Sequence, residues 1–160
     1  MKYLVLFSLL IAGNWAWSQS DTTGMESKPI SPEIEVRATI DAMFSGMRTG
    51  DSSMVASVFH SDLRLMSTYT NKKGESKLHT GSRDEFVTAV GTPHDQIWDE
   101  RISNVVIQVD ANLAQAWMDY SFYLDGKLSH CGVNAFQFIK QNGKWKIISI
   151  TDTRRKKGCI

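Results

Sequence analysis

The chain has 160 residues, 42% of them hydrophobic, 22% charged and 10% aromatic, with 18 Lys and Arg against 17 Asp and Glu. That composition suits one globular domain with its own core, and three Pro and eleven Gly exclude a low-complexity or collagen-like chain. Near-neutral charge excludes a general nucleic-acid binder, and two Cys exclude a small disulfide scaffold.

Lys2 precedes an apolar run from Tyr3 to Ala12, and Ala16-Trp17-Ser18 places small residues three and one positions before a cleavage point at Gln19. Residues 1–18 are therefore expected to be a secretory signal peptide, its apolar part too short to span a membrane. The expectation is an exported chain, periplasmic or extracellular, without stable membrane insertion. Loss of this segment leaves 17 bases and 17 acids, so bulk charge selects no partner. Residues 19–30 read as a flexible leader, residues 31–155 as one domain, and residues 156–160 as a basic tail.

Ser31-Pro32-Glu33 opens a helix with a capping hydroxyl and Pro at its first position. Val36, Ile40, Met43, Phe44 and Met47 recur at helical spacing until Gly50 stops them. Asp51 caps a second, short helix with an apolar stripe of Met54, Val55, Val58 and Phe59. Leu63, Leu65, Ser67 and Tyr69 alternate with Arg64, Met66 and Thr68, which predicts a strand. Asn71 to Gly74 is a turn, and Ser82 to Glu85 spells a capping box for a third helix. From Trp98 the period becomes two, predicting four strands near residues 101–109, 113–124, 128–139 and 144–153. The turns between them are Ala111-Asn112, Asp125-Gly126 and Asn142-Gly143. Helices followed by a meander predict an α+β fold with the helices on one face of a curved antiparallel sheet.

Two-residue turns allow register to be counted along the strands. They predict one face with Val105, Ile107, Val109, Ala116, Met118, Tyr120, Phe122, Val133, Ala135, Ile148 and Ile150, turned toward the helices. The opposite face then carries Asn104, Trp117, Asp119, Ser121, His130, Asn134, Phe136, Phe138, Trp145 and Thr151. A single bulge exchanges the faces beyond it.

The runs Met43 to Asp51, Ser129-His130-Cys131-Gly132, Gly143 to Ile147 and Asp152-Thr153-Arg154-Arg155 resemble secreted bacterial members of the nuclear transport factor 2-like superfamily. Those members carry the label putative lumazine-binding, and the resemblance covers about residues 32–155. It implies a cone-shaped, cystatin-like α+β domain with a cavity between helices and sheet, and dimers formed through the outer sheet face. Relatives include ketosteroid isomerases, scytalone dehydratases and polyketide cyclases. Aligned through Gly50-Asp51 and Asn142-Gly143, the isomerase's catalytic positions fall on Met43, Ser67 and Ala135. None of these offers a base or an acidic donor, so that chemistry is not expected.

The predicted cavity lining is Met43, Met47, Ser67, Tyr69, Met118, Tyr120, Cys131, Val133 and Asp152, a small polar end on an apolar space. Asp152 and Tyr120 are the candidates for proton transfer. Asp152 either orients a ligand or closes the sheet end in an ion pair with Arg154 or Arg101. Trp117, Asp119, His130, Asn134, Phe136 and Trp145 are expected at a homodimer interface. No metal is expected, because His60, His79, His94 and His130 lack ligand spacing, and no cofactor motif occurs. Cys131 and Cys159 either pair or remain a core thiol and a loose end. The expected function is small-molecule binding; the alternatives are a lyase or isomerase of the dehydratase or cyclase kind, and a dimerising module without ligand.

Overall fold

The structure, a computed structural model, describes residues 30–159. The predicted signal peptide and nearly all of the leader lie outside the described residues. Helix α1 spans Pro32–Thr49 and α2 spans Ser52–Val58; β1 (Phe59–Thr70) and β2 (Ser76–Gly81) precede α3 (Arg83–Gly91). Four long strands follow: β3 (Trp98–Asp110), β4 (Leu113–Leu124), β5 (Lys127–Gln141) and β6 (Lys144–Arg154).

The helices start and stop where their residues dictate. Pro32 begins α1 behind Ser31, although the Ser31 hydroxyl makes no capping bond, and Gly50 ends it at φ 72°. Asp51 accepts the Met54 N–H at 2.8 Å. Ser82 and Glu85 form both halves of the capping box on α3. The α1 residues Val36, Ile40, Met43, Phe44 and Met47 are all buried, packed with Val55, Phe136, Phe138 and Ile147. Asp99 is buried between Arg101 at 2.9 Å and Arg48 at 3.2 Å, which ties the end of α1 to β3.

The six strands form one sheet in the order β2-β1-β6-β5-β4-β3. β1 and β6 run parallel, with Ser67 opposite Asp152 and Tyr69 opposite Arg154. The expected curved antiparallel cone is thus corrected: the sheet is mixed and open, its edges β2 and β3. Hairpin turns dictate only antiparallel neighbours, whereas the β1–β6 pair joins strands far apart in sequence. β2 was not predicted, since its residues are exposed and carry little alternation.

Asp125-Gly126 and Asn142-Gly143 have positive φ at both positions, the two-residue geometry expected of them. Leu124 faces Lys127 and Gln141 faces Lys144, as counted from the sequence. Irregularities then shift the register, between Phe122 and Tyr123 opposite β5 and between Gln137 and Phe138 opposite β6. Met118 consequently faces Asn134 instead of Val133, and the inward residues of β5 are His130, Asn134, Phe136 and Phe138. The face predicted for Val133 and Ala135 is inverted. The predictions for β4 hold, with Ala116, Met118 and Tyr120 buried and Trp117 outward.

Candidate functional site

Between α1, α3 and the sheet lies a cavity of about 330 Å³. Its apolar wall comes from Met43, Met47, Phe86, Phe136 and Ile150. Helical spacing delivers Met43 and Met47 from α1 and Phe86 from α3, and strand alternation delivers Phe136 and Ile150. Its polar end is built by β1, β3, β4, β5 and β6 through Ser67, Glu100, Tyr120, His130, Asn134, Asp152 and Arg154.

Asp152 is the hub, its side chain only 13% exposed. The Ser67 hydroxyl donates to its Oδ1. The Tyr120 hydroxyl lies 3.1 Å from its Oδ2 and 2.9 Å from the Thr153 carbonyl, so one proton is divided between two acceptors. Arg154 Nε stands 4.0 Å from Oδ2, and its own side chain is 55% exposed. Burial, with the Asp152 charge adding to it, holds the Tyr120 phenol well above the usual range, so it acts as a neutral donor.

Glu100 faces this hub across the cavity and accepts from the Asn134 amide at 2.7 Å. Loss of water pushes its carboxyl up to about 7; the Asn134 bond pulls down and the Asp152 charge pushes further up. The His130 ring meets Tyr120 edge-on at 5.8 Å and Phe122 at 4.9 Å. Burial, helped by the Arg154 charge, pushes it down to about 4, so it is neutral at pH 7.

These two groups couple stability to pH in opposite senses. Glu100 holds its proton more tightly in the fold, so its contribution is complete below pH 4.5 and fades as pH rises through about 7. The neutral His130 ring contributes fully above pH 6.5, and that is lost as pH falls through about 4. Removing one should expose the slope of the other. Urea midpoints of Glu100→Gln are expected to rise with pH across this window, and those of His130→Gln to fall. Flat profiles in both variants would mean that neither side chain is desolvated.

Of the predicted lining residues, Met43, Met47, Ser67, Tyr120 and Asp152 meet around the cavity. Tyr69 is exposed beyond its end, and Met118 is wholly within the core. Cys131 is not part of the lining: it is bonded to Cys159, with Cα atoms 5.6 Å apart, and borders a separate cleft with Gly132 and Arg155. Val133 also lies off the cavity, its N–H bonded to the Thr153 hydroxyl. The expected interface residues divide. Trp117 and Asp119 do face outward, Asp119 held by Asn104 at 2.8 Å. His130, Asn134 and Phe136 belong to the cavity wall because of the β5 register shift. Trp145 is buried, its indole N–H donating to Glu35 at 3.0 Å, because an inward tryptophan needs an acceptor. His130 and Asp119, both expected on the outer face, therefore lie on opposite faces of the sheet. Arg101 pairs with Asp99, which leaves Arg154 as the cation beside Asp152.

Glu100 escaped prediction. The signal was Asn104, whose φ of 50° marks the irregularity between Ser103 and Val106; counting across it turns Glu100 inward. Among the described residues no group of three His, Cys, Asp or Glu is placed to hold a metal ion. No described helix is long and apolar enough to cross a membrane.

Comparison with known proteins agrees with this architecture. The family described as "Putative lumazine-binding" matches residues 31–151. A Mycobacterium tuberculosis protein of unknown function is similar in structure, with 15% identity and a TM-score of 0.63 over 78% of this chain and 72% of that one. An NTF2-like protein from Cytophaga hutchinsonii is 12% identical, with a TM-score of 0.63 over 79% of this chain and 100% of that one. A putative scytalone dehydratase from Novosphingobium aromaticivorans is 14% identical, with a TM-score of 0.59 over 78% and 84%. At these identities the likeness is one of fold. No curated protein sequence matches the chain.

Proposed function

The chain belongs to the putative lumazine-binding family of the NTF2-like fold, and from that premise we propose that it holds one small, flat, mostly apolar molecule in the cavity. The observation that carries this reading is the division of the cavity into an apolar wall and a convergent polar end. Met43, Met47, Phe86 and Phe136 suit the faces of a one- or two-ring molecule. Asp152 and Glu100 are acceptors, so the ligand edge directed at them carries N–H or O–H donors. Lumazine, a fused bicyclic dione with ring N–H groups, has that form. An adjacent proposal is export by the N-terminal signal peptide. Another is pairing of two copies through the outer sheet face, where Val106 and Trp117 sit exposed among Gln108, Gln115 and Gln137 without a charged neighbour in the patch.

Native mass spectrometry of the purified chain with added lumazine reads ligand and subunit count together. One ligand per chain is expected, with affinity at least tenfold lower in Asp152→Asn. Filling the cavity through Met47→Trp should abolish the adduct. An adduct that survives both changes would place the ligand elsewhere. A second reading is favoured by Glu100, whose pKa near neutrality suits a proton donor or acceptor. Under that reading a bound alcohol loses water, the spectrum shows the lighter product, and Glu100→Gln binds without converting.

A further inference from the structure

The end of the sheet beside the cavity opening gathers charge of one sign. β1 and β6 run in the same direction and β5 runs against them. The β1–β2 turn, the end of β6 and the β4–β5 turn therefore come together at one end. They bring Lys72, Lys73, Lys127 and the run Arg154-Arg155-Lys156-Lys157, all exposed. Two of the acids there are already engaged. Glu75 is held by Lys77 at 2.9 Å and by the Asn71 amide, and Asp125 accepts the Ile97 N–H at 2.8 Å. The chain as a whole has a formal charge of only +1, so this concentration is local.

The same end exposes large apolar side chains. Tyr69, Leu78, Ile97 and Leu128 are between 43% and 61% exposed. Tyr69 pairs with Lys77 on one side and Arg154 on the other, so apolar and cationic positions alternate across three strands. A purely polyanionic partner would make no use of those apolar groups. A bilayer with acidic headgroups uses both: cations meet the surface potential while apolar side chains enter the headgroup boundary. The cavity mouth touches this surface at one corner only: of its exposed lining residues Arg154 lies at the charged end, whereas His79, Ser82 and Glu85 lie toward the other end of β2 and the start of α3. Arg154 belongs to both.

We propose that this end of the sheet docks on an anionic lipid bilayer. The docking surface is independent of which molecule the cavity holds, and its test needs no cavity ligand. The whole purified chain is floated with vesicles of phosphatidylcholine, with and without phosphatidylglycerol. Binding is expected only where phosphatidylglycerol is present, and raised salt should weaken it. The double variant Lys156→Glu with Lys157→Glu should lose at least tenfold in vesicle affinity, and Leu128→Asp should lose a similar amount. Lys144→Glu, a charge reversal at the far end of the same sheet, should bind as the parent does. Circular dichroism of each variant separates lost docking from lost folding. Equal binding to both vesicle types, or none to either, overturns the proposal. So does tight binding to a heparin column that Leu128→Asp leaves intact, because the partner is then a soluble polyanion.

Discussion

Gly132→Ala is expected to lower the free energy of unfolding by about 3 kcal/mol, the upper part of the range for overpacking a closed site. A β-carbon there would stand 1.8 Å from the Thr153 carbonyl oxygen and 2.7 Å from Cε1 of the Tyr120 ring. The first neighbour is backbone in the adjoining strand and cannot swing away. The second is the residue that faces Gly132 in the β4–β5 pair. Gly132 is needed for space, since its backbone is not in the left-handed region. Relief requires β5 and β6 to part, which breaks the Tyr120 bonds to Thr153 and Asp152. Chemical denaturation of parent and variant measures the difference, and a shift below about 0.5 kcal/mol, the ordinary surface scale, would refute this packing. Ligand affinity should fall in parallel, because the hub of the polar end moves with the strand.

The second large effect concerns the Cys131–Cys159 bond. The two residues are separated by 28 positions, and closing a loop of that size contributes about 3.6 kcal/mol by restricting the unfolded chain. Arg155 and Cys131 exchange two backbone bonds of 2.9 Å, so the covalent link reinforces a bridge already present. The doubly substituted chain, Cys131→Ser with Cys159→Ser, should unfold at lower denaturant by that amount. The parent with reductant should match it. A parent equally stable with and without reductant would show that the link restrains nothing. Because Gly132 and His130 flank Cys131, loosening here should also raise amide exchange along the cavity side of β5.

Much of the fold was legible in local chemistry. Pro32, Gly50, Asp51 and the Ser82–Glu85 box mark the helices, and the Asp-Gly and Asn-Gly turns mark the hairpins within a residue. Register is where legibility failed. A turn sets pairing only until the first irregularity, and neither the one near Ser129 nor the one near Ile148 contains a glycine or asparagine to announce it. The size of Phe136 and Phe138 beside the smaller Val133 and Ala135 was the better guide to the buried side of β5. Asp152 was placed correctly because two one-residue miscounts, across β4–β5 and across β5–β6, cancel: Met118 faces Asn134, and Asn134 faces Asp152. The parallel β1–β6 pair has no local signature, and with it went the true shape of the sheet. The polar end of the cavity was half visible for the same reason: Ser67 and Tyr120 sit where alternation is unbroken, Asp152 where two miscounts cancel, and Glu100, His130 and Asn134 past an uncompensated irregularity.

The position of β6 between β1 and β5 has a kinetic consequence. Strand β1 emerges early from the ribosome, yet its long parallel neighbour is the strand synthesised after all the others. Such high contact order slows folding and leaves two unsatisfied strand borders on any nascent chain that stops short of Lys144. Completion of the domain is thereby deferred until Lys144–Arg154 has been made, and for that interval the earlier strands have no closed sheet to join.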